Sequence, residues 1–179
     1  MKESFLFLLL IVVGSTAVPA KSASKELQYI GTYKSVDVRE DYYHENYYFV
    51  SPFSATWSRA DEDCRFQLGP NTTLVAIESE EEWKFLRVLL DNYGFGTTYW
   101  TSGMYDSSRQ LWRWTSNNVA LPPWAPWGSG FPSAPNELLR VLLYHTNRYD
   151  TTWRTVHGTQ LHRYICELRR DTDATTCSD

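Results

Sequence analysis

The polar side chains of this sequence best able to act together lie in the stretch Ser133-Ala134-Pro135-Asn136-Glu137. A proline flanked by short polar residues, just ahead of the apolar run Leu138 to Tyr144, predicts a tight turn that points its side chains outward together. Ala134 precedes a proline, is pushed out of helical geometry, and is expected to be extended. An amide and a carboxylate on such a turn suit binding, although the same pattern also describes an ordinary exposed turn. Groupings for catalysis are missing. His44, His145, His157 and His162 show no metal-ligand spacing, and there is no nucleophile elbow, phosphate loop or zinc-type cysteine pair. The run Glu80-Glu81-Glu82 is accounted for by helix capping, so the chain is expected not to be an enzyme.

The compartment is set by the first residues. A basic start (Lys2), the uncharged run Phe5 to Val13 and small residues up to Ala20 predict a secretory signal peptide over residues 1–20, cut after Ala17 or Ala20. Its apolar run is shorter than the ~20 residues that span a bilayer, so a soluble exported product is expected. The net charge of −4 over 179 residues gives no nucleic-acid or polybasic membrane signature. Export implies an oxidising milieu, where Cys64, Cys166 and Cys177 are candidate bridge formers. Three is odd, so at least one is unpaired within the chain or pairs with another molecule. Asn71-Thr72-Thr73 is a glycosylation acceptor at a predicted surface turn.

The elements that would position the turn follow from periodicity. Residues 21–46 form a polar, Tyr-rich extension, part of which is expected to pair along the domain. Tyr47 to Val50 reads as a strand. Ser54 reads as the cap of a helix that carries Trp57, Ala60 and Cys64 inward, opposite Arg59, Asp61, Glu62 and Asp63. Leu74 to Ile77 reads as a buried strand. Ser79 and Glu82 form a capping box for a second helix, which buries Trp83, Leu86 and Leu90. Strands are expected at Tyr99–Ser102, Gln110–Trp114, Arg140–Tyr144 and Leu161–Glu167. Between Ser116 and Glu137 the chain is irregular and punctuated by five prolines. A loop of that length is either functional or disordered, and Trp124, Trp127 and Phe131 argue for order. Residues 169–179 read as a flexible tail.

In this order and spacing the motifs resemble the C-type lectin-like domain, over residues 47–168. They are Trp57-x-x-Ala60-x-x-x-Cys64, Leu74-Val75-Ala76-Ile77, Tyr99-Trp100-Thr101-Ser102-Gly103 and Trp112-x-Trp114, then Trp127-x-x-Gly130-x-Pro132, Pro135-Asn136, Trp153 and Tyr164-Ile165-Cys166-Glu167. The compact form is similar to the small secreted single-domain C-type lectins of invertebrates, insects above all. The resemblance implies an α+β fold with two helices packed on antiparallel sheets and a long irregular distal loop region. It also implies a Cys64–Cys166 disulfide, which would close about 100 residues and stabilise by roughly 4–5 kcal/mol in the entropic account. The family's second bridge has neither half here: residues 156–158 after Trp153 are Val, His and Gly.

Sugar-binding members place calcium at a Glu-Pro-Asn or Gln-Pro-Asp turn, with a further Glu and a Trp-Asn-Asp segment. Calcium takes six to eight oxygens, mostly from carboxylates and amides. Here the turn reads Ala134-Pro135-Asn136 and the later segment Trp153-Arg154-Thr155, so a methyl, a guanidinium and a hydroxyl replace three ligands. Asn136 and Glu137 are the ligands left if any calcium binds, and the main site is expected to be degenerate. Arg154 is expected to occupy the cation position and hold Asn136 and Glu137 by charge-assisted hydrogen bonds. The resulting expectation is carbohydrate recognition on cell or microbial surfaces in innate defence, through Asn136, Glu137, Arg154, Trp124 and Trp127. Calcium-independent binding of a protein partner is the alternative. Cys177, on the tail, is the candidate for an intermolecular disulfide in a homodimer or heterodimer, or else a free or capped thiol.

Overall fold

The computed structural model describes residues 26–37 and 42–173. The predicted signal peptide and Cys177 lie outside them. In chain order the elements are strands β1 (Gln28–Asp37) and β2 (Tyr42–Val50), helix α1 (Trp57–Leu68), strand β3 (Thr72–Leu74), helix α2 (Glu80–Leu90), and strands β4 (Thr97–Asp106), β5 (Leu111–Trp114), β6 (Leu139–Asn147), β7 (Asp150–His157) and β8 (Arg163–Asp173). The sheet runs β1-β2-β8-β4-β6-β7, with β3 added on β8 and β5 on β4. Neighbours are antiparallel except β4 and β8, which run parallel through Tyr99–Arg163 and Trp100–Tyr164. The fold is α+β, with two helices against a mixed sheet.

The N-terminal residues are strand. β1 pairs with β2 along its length, and β2 pairs with β8 from Tyr42–Asp173 to Val50–Ile165, so β8 continues past Leu168. In β2 the inward positions alternate, Asn46, Tyr48 and Val50. The core has two clusters. Trp83, Leu86 and Leu90 of α2, at the expected helical spacing, pack on Val75, Ile77, Tyr99, Trp114, Val141, Leu143, Trp153 and Ile165. Ala60 and Cys64 of α1 pack on Leu74, Trp100, Leu142, Tyr164 and Cys166. Cys64 and Cys166 are joined by a disulfide with Cα atoms 5.5 Å apart, which fastens α1 to β8 across 102 residues.

Four local expectations change in the folded chain. The helix starts not after Ser54 but after Thr56, whose side chain makes no capping bond. Ala55 exchanges both backbone hydrogen bonds with His162, so the chain is held extended until Trp57. Asp63, expected on the charged face, is buried, with Arg59 at 2.8 Å and the Tyr164 hydroxyl at 3.3 Å. The strand expected at Leu74 to Ile77 is instead Thr72–Leu74. Its buried continuation bonds individually, Val75 N–H donating to Ile165 O and Ser102 N–H to Val75 O. β7 was not expected, although its alternation of buried Thr151, Trp153 and Thr155 is a strand period.

Candidate ligand-binding face

The turn at residues 133–137 is fastened from behind by β7. Thr155 is buried, accepts from the Ser133 N–H at 2.9 Å, and donates its hydroxyl to Ser133 Oγ at 3.0 Å. The hydroxyl that stands where the resemblance implies an Asp is therefore a staple for the turn. Asn136 Oδ1 accepts from the Leu138 N–H at 2.9 Å, an Asx turn that aims the amide oxygen at its own backbone. Glu137 Oε1 accepts from the Ser107 hydroxyl in the β4–β5 turn, while its carbonyl accepts from Arg140 Nη1. Both residues are exposed.

Arg154 is not their partner. Among the described residues no hydrogen bond or ion pair joins it to Asn136 or Glu137, which corrects the expected charge-assisted link. Its guanidinium instead lies 3.9 Å from the Tyr144 ring centroid and 5.8 Å from that of Phe131. The reason is register: Arg154 pairs with Leu142 on β6, and its side chain runs across the neighbouring aromatic ring. Its Nε is buried without a partner, as is the Thr152 hydroxyl, and both border Gly128. Arg154, Tyr144 and Phe131 thus form one cationic and aromatic surface, and Asn136 and Glu137 stand apart from it.

The loop tryptophans have a packing role. Trp153 is fully buried and meets Trp83, Trp114, Trp124 and Trp127, with ring centroids 5.4–5.9 Å away. The Trp153 N–H donates to Pro126 O and the Gly128 N–H to Trp153 O, so the backbone of β7 and that of the loop are stitched together. Trp124 and Trp127, expected to contact ligand, are half-buried members of this aromatic cluster that keep only part of their surface outward. Such offset and edge-on aromatic pairs contribute about 0.5–1.5 kcal/mol each beyond their burial. They order the long loop where the family's second bridge is missing. Just after β7, Gly158 faces Arg140, and a Cβ at 158 would come within 3.1 Å of Arg140 Cγ.

A group that sequence reasoning took for a helix cap is more than that. Glu82 does reach back toward the start of α2, accepting from the Glu78 N–H at 2.8 Å, while Ser79 Oγ accepts from the Glu82 N–H at 3.1 Å. Its other oxygen accepts from the Tyr48 hydroxyl at 2.6 Å. Glu167 on β8 is also buried and accepts from the Ala76 N–H at 2.9 Å. Burial, then the neighbouring carboxylates, pushes both acids above the usual carboxylate range. Glu78 beside them accepts from Asn117 and pairs with Arg169. The helical period could have flagged Glu82 as buried, since it precedes Leu86 by four residues and Leu90 by eight on the same face. Among the described residues no three His, Cys, Asp or Glu side chains are grouped to hold a metal ion.

Asn71 is exposed in the turn between α1 and β3, where a glycosylation acceptor is accessible. A cavity of about 790 Å³ lies between Phe53, Thr56, Phe66 and Leu161, and none of the expected ligand-binding residues lines it.

The sequence model described as the Lectin C-type domain matches residues 53–168. The chain belongs to the C-type lectin domain family. Human C-type lectin domain family 4 member A is 24% identical over 128 residues, covering 72% of this chain and 52% of that protein, so the chain spans about half the length of that relative. The C-type lectin domain of murine dendritic cell inhibitory receptor 2, solved in complex with an N-glycan, superposes with TM-score 0.57 at 22% identity over 70% of this chain and 91% of that one. SPL-1, solved as a GlcNAc complex, gives TM-score 0.57 at 22% identity over 74% and 89%. These structures share the fold described above, and proteins of the C-type lectin family are generally binding modules.

Proposed function

We propose that this chain is a secreted recognition protein that binds carbohydrate on cell or microbial surfaces in innate defence, without the family's main calcium site. The observation that carries the reading is the Arg154 guanidinium stacked on Tyr144 beside the 133–137 turn. In the sequence this arginine stands where the resemblance implies a calcium ligand, so a cation replaces an oxygen donor. The remaining donors do not fit the ion: the Asn136 amide oxygen is engaged by the Leu138 N–H, and Glu137 is turned to Ser107. A planar cation backed by the Tyr144 ring can instead donate to sugar hydroxyls while Phe131 presents apolar surface to a pyranose face. Two solved relatives of this fold were crystallised with glycan or GlcNAc, which supports the ligand class.

Secretion rests on the N-terminal apolar run and on the disulfide. No helix among the described residues is long and apolar enough to cross a membrane. A disulfide through Cys177 would pair two such faces and raise a weak single-site affinity by avidity. The test is a glycan array read with calcium and with chelator, on the wild type and on Arg154→Ala. Binding that survives chelation and falls in the variant is expected. Binding that requires calcium, or retention only of a protein partner from the native fluid with no glycan bound, overturns the reading.

A further inference from the structure

Beside the turn, on the side of α1, a second constellation is built around Arg140. Its guanidinium lies 4.7 Å above the Trp57 ring. Nη1 donates to Glu137 O at 2.5 Å and to Leu139 O at 2.9 Å, which fixes the plane of the group. Nη2 has no hydrogen-bond partner among the described residues. Trp57 is itself held, its Nε1–H donating to Thr101 O at 2.8 Å and its backbone N–H to Gly158 O at 2.9 Å. The absence of a side chain at Gly158 is what lets the Arg140 stem pass, since an added Cβ would crowd Arg140 Cγ.

Between these groups is a cavity of about 170 Å³, which Ser58, Leu138, His157 and Thr159 complete. No aspartate or glutamate lines it. His157 Nδ1 accepts from the Thr159 N–H at 3.4 Å and is 2.7 Å from the Thr159 hydroxyl, which leaves Nε2 as the ring's donor. α1 opens at the cavity with no side-chain cap and no acidic residue in its first turn. An arginine donates only, and a guanidinium stacked on an indole keeps its free edge for a planar oxyanion. The cavity's one charged side chain is therefore a cation, and the side-chain groups left unpaired at it, Arg140 Nη2 and His157 Nε2, are donors, beside hydroxyls that can turn either way.

We propose that the cavity formed by Trp57, Ser58, Leu138, Arg140, His157 and Thr159 is a subsite for the oxyanion of an acidic glycan, a carboxylate or a sulfate. Arg140 supplies the charge, His157 and Ser58 supply further donors, and Trp57 and Leu138 are the apolar walls. The subsite adjoins the 133–137 turn, because the same guanidinium grips the back of that turn through Glu137 O. It goes beyond the reading of the Arg154 face and stands or falls without it.

The test is calorimetric titration of the secreted full chain with methyl β-glucuronide, glucose 6-sulfate and the neutral methyl β-glucoside. The key variant is Ser58→Glu. Ser58 is exposed in the first helical turn, where a carboxylate suits the helix dipole, so the variant folds while placing an internal anion at the cavity. Arg140→Lys is the second variant, keeping the charge and losing the fork. Either acidic sugar is expected to bind ~10-fold or more tightly than the neutral one, with the advantage lost in Ser58→Glu and reduced in Arg140→Lys. Equal affinity for all three sugars, or an acidic preference that Ser58→Glu leaves intact, overturns the proposal. Arg154→Ala separates the two sites: an acidic preference that persists in it, with no neutral glycan bound by the wild type, upholds this subsite while the Arg154 reading fails. Neutral binding lost in Arg154→Ala, with no acidic preference in the wild type, does the reverse.

Discussion

The Arg154 guanidinium carbon lies 3.9 Å from the centroid of the Tyr144 ring, on the strand pair that backs the long loop. A stacked cation in that position repels a divalent ion, and the one carboxylate of the turn, Glu137, is engaged by the Ser107 hydroxyl. Calcium added to the purified protein is therefore expected to leave the thermal midpoint unchanged. A ligand held at 100 times its dissociation constant would stabilise by about 2.7 kcal/mol, several degrees for a domain of this size. Differential scanning fluorimetry with calcium and with chelator reads this directly, and a shift of several degrees would restore the metal site.

Trp153 is the hub of the aromatic cluster, so its loss should loosen the loop before the rest of the domain. Trp153→Ala is expected to cost roughly 3–5 kcal/mol, the range for truncating a buried large aromatic. Urea denaturation measures the loss. Limited proteolysis should then show new cuts between residues 116 and 138. Loss of stability without new cuts in that loop would mean that Trp153 does not order it.

The Cys64–Cys166 bridge closes 102 residues of sequence separation. Replacing both cysteines by serine is expected to lower stability by roughly 4–5 kcal/mol in the chain-entropy account. Comparison of urea midpoints between wild type and the double variant checks this, since α1 and β8 also share apolar contacts that survive the change.

The buried acids give stability a sign with pH. Glu82 and Glu167 hold their protons more tightly folded than unfolded, so their contribution is complete below the ordinary value of 4.5 and is lost as pH rises through their raised folded values. Tyr48, Glu78 and Arg169 are the titratable or charged groups around them. Asp106 has the opposite sign: Ser108 first, then Arg113, hold its carboxyl at about 2, so its contribution is lost as pH falls from 3.8 toward that value. Glu167→Gln is expected to flatten the alkaline side of the profile and to raise stability at neutral pH on the order of 1 kcal/mol. Urea unfolding from pH 4 to 8 is the measurement, and an unchanged slope above pH 5 would count against the raised acids.

Much of the fold was legible because its signals are local or pairwise. Helix periodicity marked Ala60 and Cys64 on α1 and Trp83, Leu86 and Leu90 on α2, and the motif order carried the family and the disulfide. What stayed hidden depended on partners far along the chain. Ser54 looks like a cap in isolation, yet Ala55 pairs with His162 and delays the helix. Glu82 reads as a capping carboxylate, yet Tyr48 and the closeness of Glu167 make it a buried acid. β7 carries a strand alternation at Thr151, Trp153 and Thr155, but only one of the three inward residues is apolar, so the period is weak until the sheet closes over it.

The same division runs through the candidate site. The residue types at Ala134, Arg154 and Thr155 follow from the sequence alone, and with them the loss of calcium ligands from the family pattern. Where the substituted side chains go is a matter of register between strands, which no local pattern encodes. Pairing of β6 with β7 carries Arg154 over Tyr144 rather than toward Asn136, and turns Thr155 inward to Ser133. It also sets Gly158 against Arg140, whose guanidinium reaches Trp57 on a helix that begins 83 residues earlier in the chain. Composition decides which groups are available. Only the closed sheet decides which of them meet, because a side chain's neighbours across strands are fixed by long-range pairing and not by its place in the chain.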